Sequence, residues 1–278
     1  MSEFFVVATP IGNLSDITFR AVETLKNCDL ILCEDSRITN RLLLKYEIKN
    51  KKLVIYNDNS DEKIRRKVLE MLLKGLNVAL VSDAGTPLIS DPGYKLIKFL
   101  REHNIKITPI SGASSITTAL CASGIAVDNF LFLGFLSPSE IQRKNALKEL
   151  PKNYSFVIFE SANRVEKTME NMLEVLGNRK IAIARELTKI HEEIISDSLE
   201  NMIEFFKNNQ EKVRGEFVVI VEKQDKSEKN ISDEELESEI EKLLKSGLSI
   251  KDVSENLAQV YKMNRKDIYR IALKKATK

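Results

Sequence analysis

Short, uninterrupted apolar runs alternate with amphipathic helical segments through most of this 278-residue chain. Runs of this kind are typical of strands whose two faces are both covered by helices, so the pattern predicts an α/β fold. The predicted strands are 4–8, 30–33, 53–56, 78–81 and 105–108, followed by 130–135, 156–159, 181–184 and 217–221. The predicted helices between them are 17–26, 62–73, 94–102, 111–123, 140–150, 165–176 and 202–208.

The alternation breaks at 124–129 and then starts again. Five predicted strands precede this break and four follow it, which favours two α/β domains over 1–123 and 124–222. A single closed barrel of eight strands is the competing topology.

A third region follows. Residues 223–230 contain no apolar side chain, which is typical of a solvated linker. Residues 231–278 carry three short helical patterns, which predict a small module of the helix-turn-helix kind.

Beyond residue 260 the chain has seven basic residues and one acidic residue. This excess suggests contact with an RNA backbone, and a solubilising helix is the alternative. The cations proposed for RNA binding are Arg265, Lys266, Arg270, Lys274 and Lys275.

Composition excludes several classes of protein. The net charge of +2 argues against a general polycation, and no apolar run approaches the length of about 18 residues that a membrane span needs. The acidic N-terminus does not resemble a signal peptide. The chain has two histidines and three cysteines without CxxC spacing, so we expect no metal site. We expect Cys28, Cys33 and Cys121 to be buried thiols in a reducing cytoplasm.

Polar and conformationally special residues follow four of the predicted strands, at 9–13, 34–37, 82–93 and 109–115. In a parallel sheet these loops share the carboxyl edge, where ligands bind. Their glycines, prolines and small residues allow tight turns and close approach of the backbone to a ligand. Ordinary strand-to-helix turns are the alternative for any one loop. The chain has no GxGxxG, GxxxxGK[ST] or GxSxG motif.

Three of these loops, at 9–13, 34–37 and 82–93, lie in two long motifs, VATPIGNLSDITFRAVETLKNCDLILCEDSR and VALVSDAGTPLISDPGYKLI. Together they resemble the ribosomal RNA small subunit methyltransferase I family, which is similar to the tetrapyrrole methylases. The resemblance continues through PISGASSITTALCASGI, FLFLGFL, VIFESANRV, IAIARELTKIHEEI and GEFVVIVE, and so covers about residues 4–222.

The resemblance implies two α/β domains of the tetrapyrrole methylase type, with the cofactor in the cleft between them. It implies S-adenosylmethionine as the methyl donor. The expected acceptor is the 2′-oxygen of a cytidine ribose in the decoding region of 16S rRNA within the 30S subunit. Enzymes of this architecture usually work as homodimers. The cofactor pocket that the resemblance implies consists of Pro10, Ser82, Asp83, Ala84, Gly85, Ile89, Ser114, Ser115, Glu160, Ser161 and Leu187. Asp83 could instead cap its local turn, as could Asp91.

A ribose hydroxyl is a weak acid, so a general base or a stabilising cation should assist its methylation. We expect Asp35 to act as the base or to orient the acceptor, with Arg37 and Lys189 on a phosphate or on the developing oxyanion. Glu34 and Glu186 are further candidates. A structural Asp35–Arg37 ion pair is the alternative.

The sequence leaves two alternatives to ribosomal RNA methylation open. A tetrapyrrole C-methyltransferase shares the implied fold. A non-catalytic, RNA-binding ribosome-assembly factor would keep the basic tail but would not need intact loops at 82–93 and 111–115.

Overall fold

A computed structural model describes residues 2–58, 62–224, 233–261 and 263–276. Most of the predicted linker, together with Lys262 and Lys278, lies outside these ranges. The described chain forms two compact units: Met1–Leu150 with Ser155–Glu222, and Pro151–Tyr154 with Lys223–Lys278. No helix in the described ranges is both long and apolar enough to cross a membrane.

In the first unit the described residues form two five-stranded sheets, and the first sheet is wholly parallel. Its strands stand side by side in the order β3-β2-β4-β1-β5. The strands are β1 (Phe4–Val7), β2 (Leu30–Cys33), β3 (Lys52–Ile55), β4 (Val78–Val81) and β5 (Ile107–Ile110). The helices that alternate with them are α1 (Phe19–Asn27), α2 (Ser36–Lys45), α3 (Glu62–Leu73), α4 (Tyr94–Glu102) and α5 (Ser115–Ala122).

Alternate residues of these strands pack into two different hydrophobic cores, one on each face of the sheet. Ile31 and Ala79 pack on one face, against α1 and α2. Leu30 and Leu80 pack on the other face, against α3 and α4. The central strands are therefore apolar throughout, and this confirms the expectation of a sheet covered on both sides.

The second sheet has the order β6-β7-β10-β8-β9 and is mixed. Only β6 and β7 are parallel, whereas β7–β10, β10–β8 and β8–β9 are antiparallel. Its strands are β6 (Phe130–Phe135), β7 (Ser155–Ser161), β8 (Lys180–Arg185), β9 (Glu193–Ser198) and β10 (Glu216–Val221). One face packs against α7 (Ala162–Leu176) and α8 (Leu199–Asn208), while α6 (Glu140–Lys148) packs beside α7.

Helix α5 joins the two halves of this unit. It follows the first sheet along the chain, yet Ala119 and Leu120 pack against Val218 and Ile220 of the second sheet. The two halves therefore share an apolar core, which explains why they form one compact unit.

The sequence prediction was incomplete at two elements and wrong at one thiol. Helix α2 and strand β9 were not among the predicted elements, and β9 is an edge strand whose residues are half-exposed or exposed. Cys28 and Cys33 are buried as predicted, and burial raises the pKa of Cys28 to about 12. Cys121 is exposed, because α5 turns its other face, with Ala119, toward the second sheet.

The described residues of the second unit form three helices around one apolar core. They are α9 (Asp233–Lys245), α10 (Ile250–Tyr261) and α11 (Arg265–Ala276). The core contains Leu236 and Ile240 of α9, Val253 and Leu257 of α10, and Ile268 of α11. The three predicted helices are thus present.

Candidate functional site

Four loops meet at the carboxyl edge of the first sheet. They follow β2, β4, β1 and β5, which are neighbours in that order in the sheet. The parallel arrangement places the ends of these strands side by side, as the sequence predicted.

Hydrogen bonds tie the loops to one another. The Thr9 amide donates to Gly85 O at 2.8 Å, and the Gly85 amide donates to Thr9 O at 3.0 Å. The Thr86 hydroxyl donates to Ala113 O at 3.2 Å in the loop after β5. Gly85 has a φ of +81°, a backbone conformation that strongly favours glycine. The loop after β4 is thus bonded to the loops after β1 and β5.

The loop after β4 is also bonded to the loop after β2. Asp83 Oδ1 accepts a hydrogen bond from the Asp35 amide at 3.0 Å. Asp83 therefore connects two loops, whereas the sequence alone left open a local capping role.

The segment after β8 closes the site from the second sheet. The Thr188 hydroxyl accepts a bond from the Asn13 amide at 2.9 Å. A Cβ atom built on Gly12 would lie 2.7 Å from Leu187 O, so only glycine allows this approach. Glu186 and Thr188 have φ values of 50° and 64°, which non-glycine residues rarely adopt. Residues in such strained conformations cluster at functional sites.

These segments enclose a cavity of about 330 Å³, within the range typical of small-molecule sites. Its wall combines small, polar and aromatic residues from both sheets. It is lined by Ile11, Glu34, Asp83, Ala84, Gly85, Thr86, Ile89, Ser90, Asp91, Ser114, Ser115, Ile116, Phe135, Phe159, Ala184, Glu186, Leu187, Lys189, Glu216, Phe217 and Val218.

Carboxylates dominate the charge of this wall. Burial, reinforced by the negative charges of Glu34, Asp83 and Glu216, raises the pKa of Asp91 to about 6, although a hydrogen bond from Ser82 acts in the opposite direction. Burial and the charge of Asp83 also raise the pKa of Glu34.

Most of the predicted cofactor residues line the cavity. They are Asp83, Ala84, Gly85, Ile89, Ser114, Ser115 and Leu187, and the catalytic candidates Glu186 and Lys189 line it as well. The Lys189 ammonium lies 3.0 Å from the Glu186 carboxylate.

Four predicted cofactor residues are not among those that line it: Pro10, Ser82, Glu160 and Ser161. Glu160 is fully buried, and residues of β7 and α7 already occupy its carboxylate with hydrogen bonds and an ion pair. It accepts from the Ser161 amide at 2.9 Å and from the Thr168 hydroxyl at 2.8 Å, and Arg164 lies 3.2 Å away.

Asp35 and Arg37 lie outside the cavity wall and form the ion pair that was the structural alternative. Asp35 is the N-cap of α2 and accepts from the Arg37 amide at 2.8 Å. Hydrogen bonds from the Arg37 side chain and backbone lower the pKa of Asp35 to about 2. This arrangement suits positioning of an exposed guanidinium better than proton abstraction.

Sequence reasoning missed several residues of the wall. Thr86 and Ser90 lie inside a segment that it had singled out, so their position in that loop was the available signal, while Asp91 of the same loop had been considered together with a turn-capping alternative. Phe135 and Glu216 come from the second sheet, and no local pattern connects them to the first.

The predicted RNA-binding cations lie in the second unit, and several of them have acidic partners there. Their ion pairs are Arg265–Glu255 at 3.0 Å, Arg270–Asp267 at 3.7 Å, Lys275–Glu237 at 2.7 Å and Lys275–Glu241 at 2.8 Å. Lys274 is also engaged in an interaction. Lys266 is exposed and forms no ion pair within the described ranges.

Within the part of the chain that the structure describes, no group of three or more His, Cys, Asp or Glu side chains could hold a metal ion.

Comparisons with known proteins relate this arrangement to established families. The family model described as Tetrapyrrole (Corrin/Porphyrin) Methylases matches residues 3–203. A "Ribosomal RNA small subunit methyltransferase I" from Rickettsia prowazekii (strain Madrid E) is 43% identical over 278 residues, covering 99% of this chain and 97% of the relative.

Two solved structures share the fold. A uroporphyrin-III-C-methyltransferase from Thermus thermophilus superimposes with a TM-score of 0.58 at 19% identity, over 81% of this chain and 96% of that chain. A uroporphyrin-III C-methyl transferase from the same organism, complexed with S-adenyl homocysteine, gives a TM-score of 0.54 at 16% identity, over 80% and 97%. Both the matched family model and the near full-length relative lead to one conclusion: the chain belongs to the ribosomal RNA small subunit methyltransferase I family, which has the tetrapyrrole methylase fold.

Proposed function

We propose that this protein transfers the methyl group of S-adenosylmethionine to the 2′-oxygen of a cytidine ribose in the decoding region of 16S rRNA. We further propose that the acceptor is the RNA within the 30S subunit and that a homodimer does this work in the cytoplasm. The observation that carries the proposal is the 43% identity, over nearly the full length of both chains, to a protein named for ribosomal RNA methylation.

The cavity suits the parts of this cofactor. Its volume fits a small molecule, and Ala84 and Gly85 offer backbone groups without a bulky side chain in the way. Ser114 is the N-cap of α5 but makes no side-chain capping bond, so its hydroxyl and the first amides of the helix can hold a carboxylate. The acidic wall favours a cation such as a sulfonium.

When bound, S-adenosylmethionine supplies a methyl carbon that its sulfonium has already activated. What the protein must add is alignment of the acceptor oxygen, and such positioning can contribute about 7–11 kcal/mol to lowering a barrier. Apolar side chains such as Ile11, Leu187 and Phe159 form part of the wall and limit the access of water.

We assign the remaining sequence-predicted residues accordingly. Lys189, with its partner Glu186, lies at the cavity and faces the acceptor. Asp35 positions Arg37, whose side chain is 89% exposed and available to a phosphate. In the second unit, Arg265, Lys266, Arg270, Lys274 and Lys275 contact the RNA backbone.

The test is transfer of labelled methyl from S-adenosylmethionine to three acceptors: unmodified 30S subunits, naked 16S rRNA and a precorrin. Nucleoside mapping follows. We expect 2′-O-methylcytidine on the 30S subunit. Label on the precorrin would instead favour a tetrapyrrole C-methyltransferase, and absence of both cofactor binding and transfer would favour an assembly factor.

Two glycine variants provide a matched pair for this test. Gly85→Ala adds a Cβ beside Ile11 at a cavity residue with φ +81°, whereas Gly75→Ala adds one in open space at φ +91°. Both variants carry the same kind of backbone strain, so only the first should weaken cofactor binding. Equal loss in both variants would contradict the placement of the cofactor in this cavity.

A further inference from the structure

We propose that Asp91 is the general base that accepts the proton of the acceptor hydroxyl during methyl transfer. This inference rests on the proposed function.

The loop that carries Asp91 is firmly held. Leu88 and Ser90 adopt φ values of 74° and 64°, and Gly93 has a φ of 140°. The Gly93 amide donates to Asp58 Oδ1 at 3.1 Å, which fixes the end of the loop at the start of α4. Strained residues of this kind persist where the surrounding structure determines them, and they cluster at active sites.

The same loop also reaches the second sheet. β6 and β7 change register between Phe132 and Phe135, and Gly134 in that irregular stretch has a φ of +63°. A Cβ atom built on Gly134 would lie 3.3 Å from the Ser90 hydroxyl. Asp91 therefore lies on the cavity wall where elements of both sheets meet, and a bound acceptor would lie within its reach.

The surroundings of Asp91 make its carboxylate a competent base. It is half-buried, and the charges of Glu34 after β2, Asp83 after β4 and Glu216 on β10 reinforce the effect of burial. Its pKa of about 6 leaves it ionised at neutral pH but far more basic than an ordinary aspartate. Glu186 and Lys189 also line the cavity, where they pair with each other.

The other carboxylates near the site are less suitable. Asp35 has a pKa of about 2 because Arg37 binds it. Asp83 Oδ1 is occupied by the Asp35 amide. Glu34 has a raised pKa but is exposed, so it is the rival that the experiment must address.

The acceptor oxygen forms a bond to the methyl carbon while its proton passes to an Asp91 carboxylate oxygen. The carbon–sulfur bond breaks, and its electron pair stays on sulfur, which becomes a neutral thioether. Asp91 later returns the proton to solvent.

The experiment compares wild type with Asp91→Asn, Glu34→Gln and Asp197→Asn on 30S subunits between pH 5 and 9. Asp197 is an exposed carboxylate on β9 that does not line the cavity, so its variant is the matched control. Single-turnover rates are measured together with the affinity for S-adenosylmethionine. Carbon-13 NMR of labelled aspartate carboxyls follows the titration of Asp91 without any turnover.

We expect wild type to lose rate as the pH falls through about 6, and we expect a carboxyl resonance that titrates there and is absent from Asp91→Asn. The Asp91→Asn variant should lose roughly 100-fold or more in rate, the range typical of general-base removal. Its affinity for the cofactor should match that of Asp197→Asn.

Two results would overturn the inference while leaving the proposed function intact. One is an Asp91→Asn rate equal to that of Asp197→Asn. The other is an acidic limb that disappears in Glu34→Gln and persists in Asp91→Asn. A wild-type protein that binds the cofactor yet forms no 2′-O-methylcytidine would overturn the proposed function itself, and the inference with it.

Discussion

Removal of the Asp91 charge should stabilise the folded protein at alkaline pH and much less so at acidic pH. The folded structure raises the Asp91 pKa from 3.8 to about 6, so ionisation of this group opposes folding. Two pKa units correspond to about 3 kcal/mol. Because the carboxyl keeps contact with solvent, screening reduces the expected gain for Asp91→Asn to about 1–2 kcal/mol at pH 8.

The sign of the pH dependence follows from linkage. The cost of ionisation is fully present above about pH 6 and declines as the pH falls toward 3.8, where the unfolded chain is protonated as well. At pH 4.5 the gain from the substitution should have fallen to about a third.

Urea unfolding followed by far-ultraviolet circular dichroism suits this protein, which lacks tryptophan. The quantity to compare is the difference in unfolding free energy between Asp91→Asn and wild type at pH 8 and at pH 4.5. A difference that does not change between these two pH values would refute the electrostatic reasoning, whatever the activity of the variant.

Three further predictions concern other parts of the chain. Gly12→Ala should weaken cofactor binding and lower the melting temperature, because the new Cβ meets backbone at 2.7 Å; calorimetry measures both effects. Glu193→Gln should cost about 2–3 kcal/mol in urea unfolding at pH 7, because it removes the carboxylate 2.7 Å from the buried Arg185. The pKa of Glu193 is lowered in the folded state, so its contribution is present above pH 4.5 and is lost as the pH falls through the folded pKa. Lys266→Ala should reduce the salt dependence of RNA binding by about one unit of slope, whereas Lys275→Ala should do so less, because its ammonium already has two acidic partners.

Each of these predictions has a control or a contrary outcome. Ser15→Ala, on an exposed turn near Gly12, should leave cofactor binding unchanged. An unchanged unfolding free energy for Glu193→Gln at pH 7 would mean that Arg185 finds another partner. Equal salt slopes for the Lys266 and Lys275 variants would contradict the argument from ion pairs.

Much of the fold followed from the sequence because its signals are local. The apolar strands of the first sheet carry buried residues on both faces, so uninterrupted runs such as 30–33 and 78–81 could be recognised directly. The loops after these strands also followed, since a parallel sheet brings the ends of its strands together. Edge strand β9 was missed because only part of it is buried.

The roles of the carboxylates at the site could be assigned only from the tertiary structure. Asp35 and Asp91 are both aspartates in loops after apolar strands, and the sequence left open whether Asp35 is a base or the partner of Arg37 and whether Asp91 is functional or a turn cap. In the folded chain Arg37 lowers the pKa of one to about 2, whereas burial and three distant carboxylates raise that of the other to about 6. Burial and Coulomb interaction depend on neighbours that are far apart in sequence, such as Glu216 beside Asp91. The sequence by itself therefore determined the family, the strands and the loops, while only the tertiary structure decided which carboxylate in those loops could hold a proton near neutral pH.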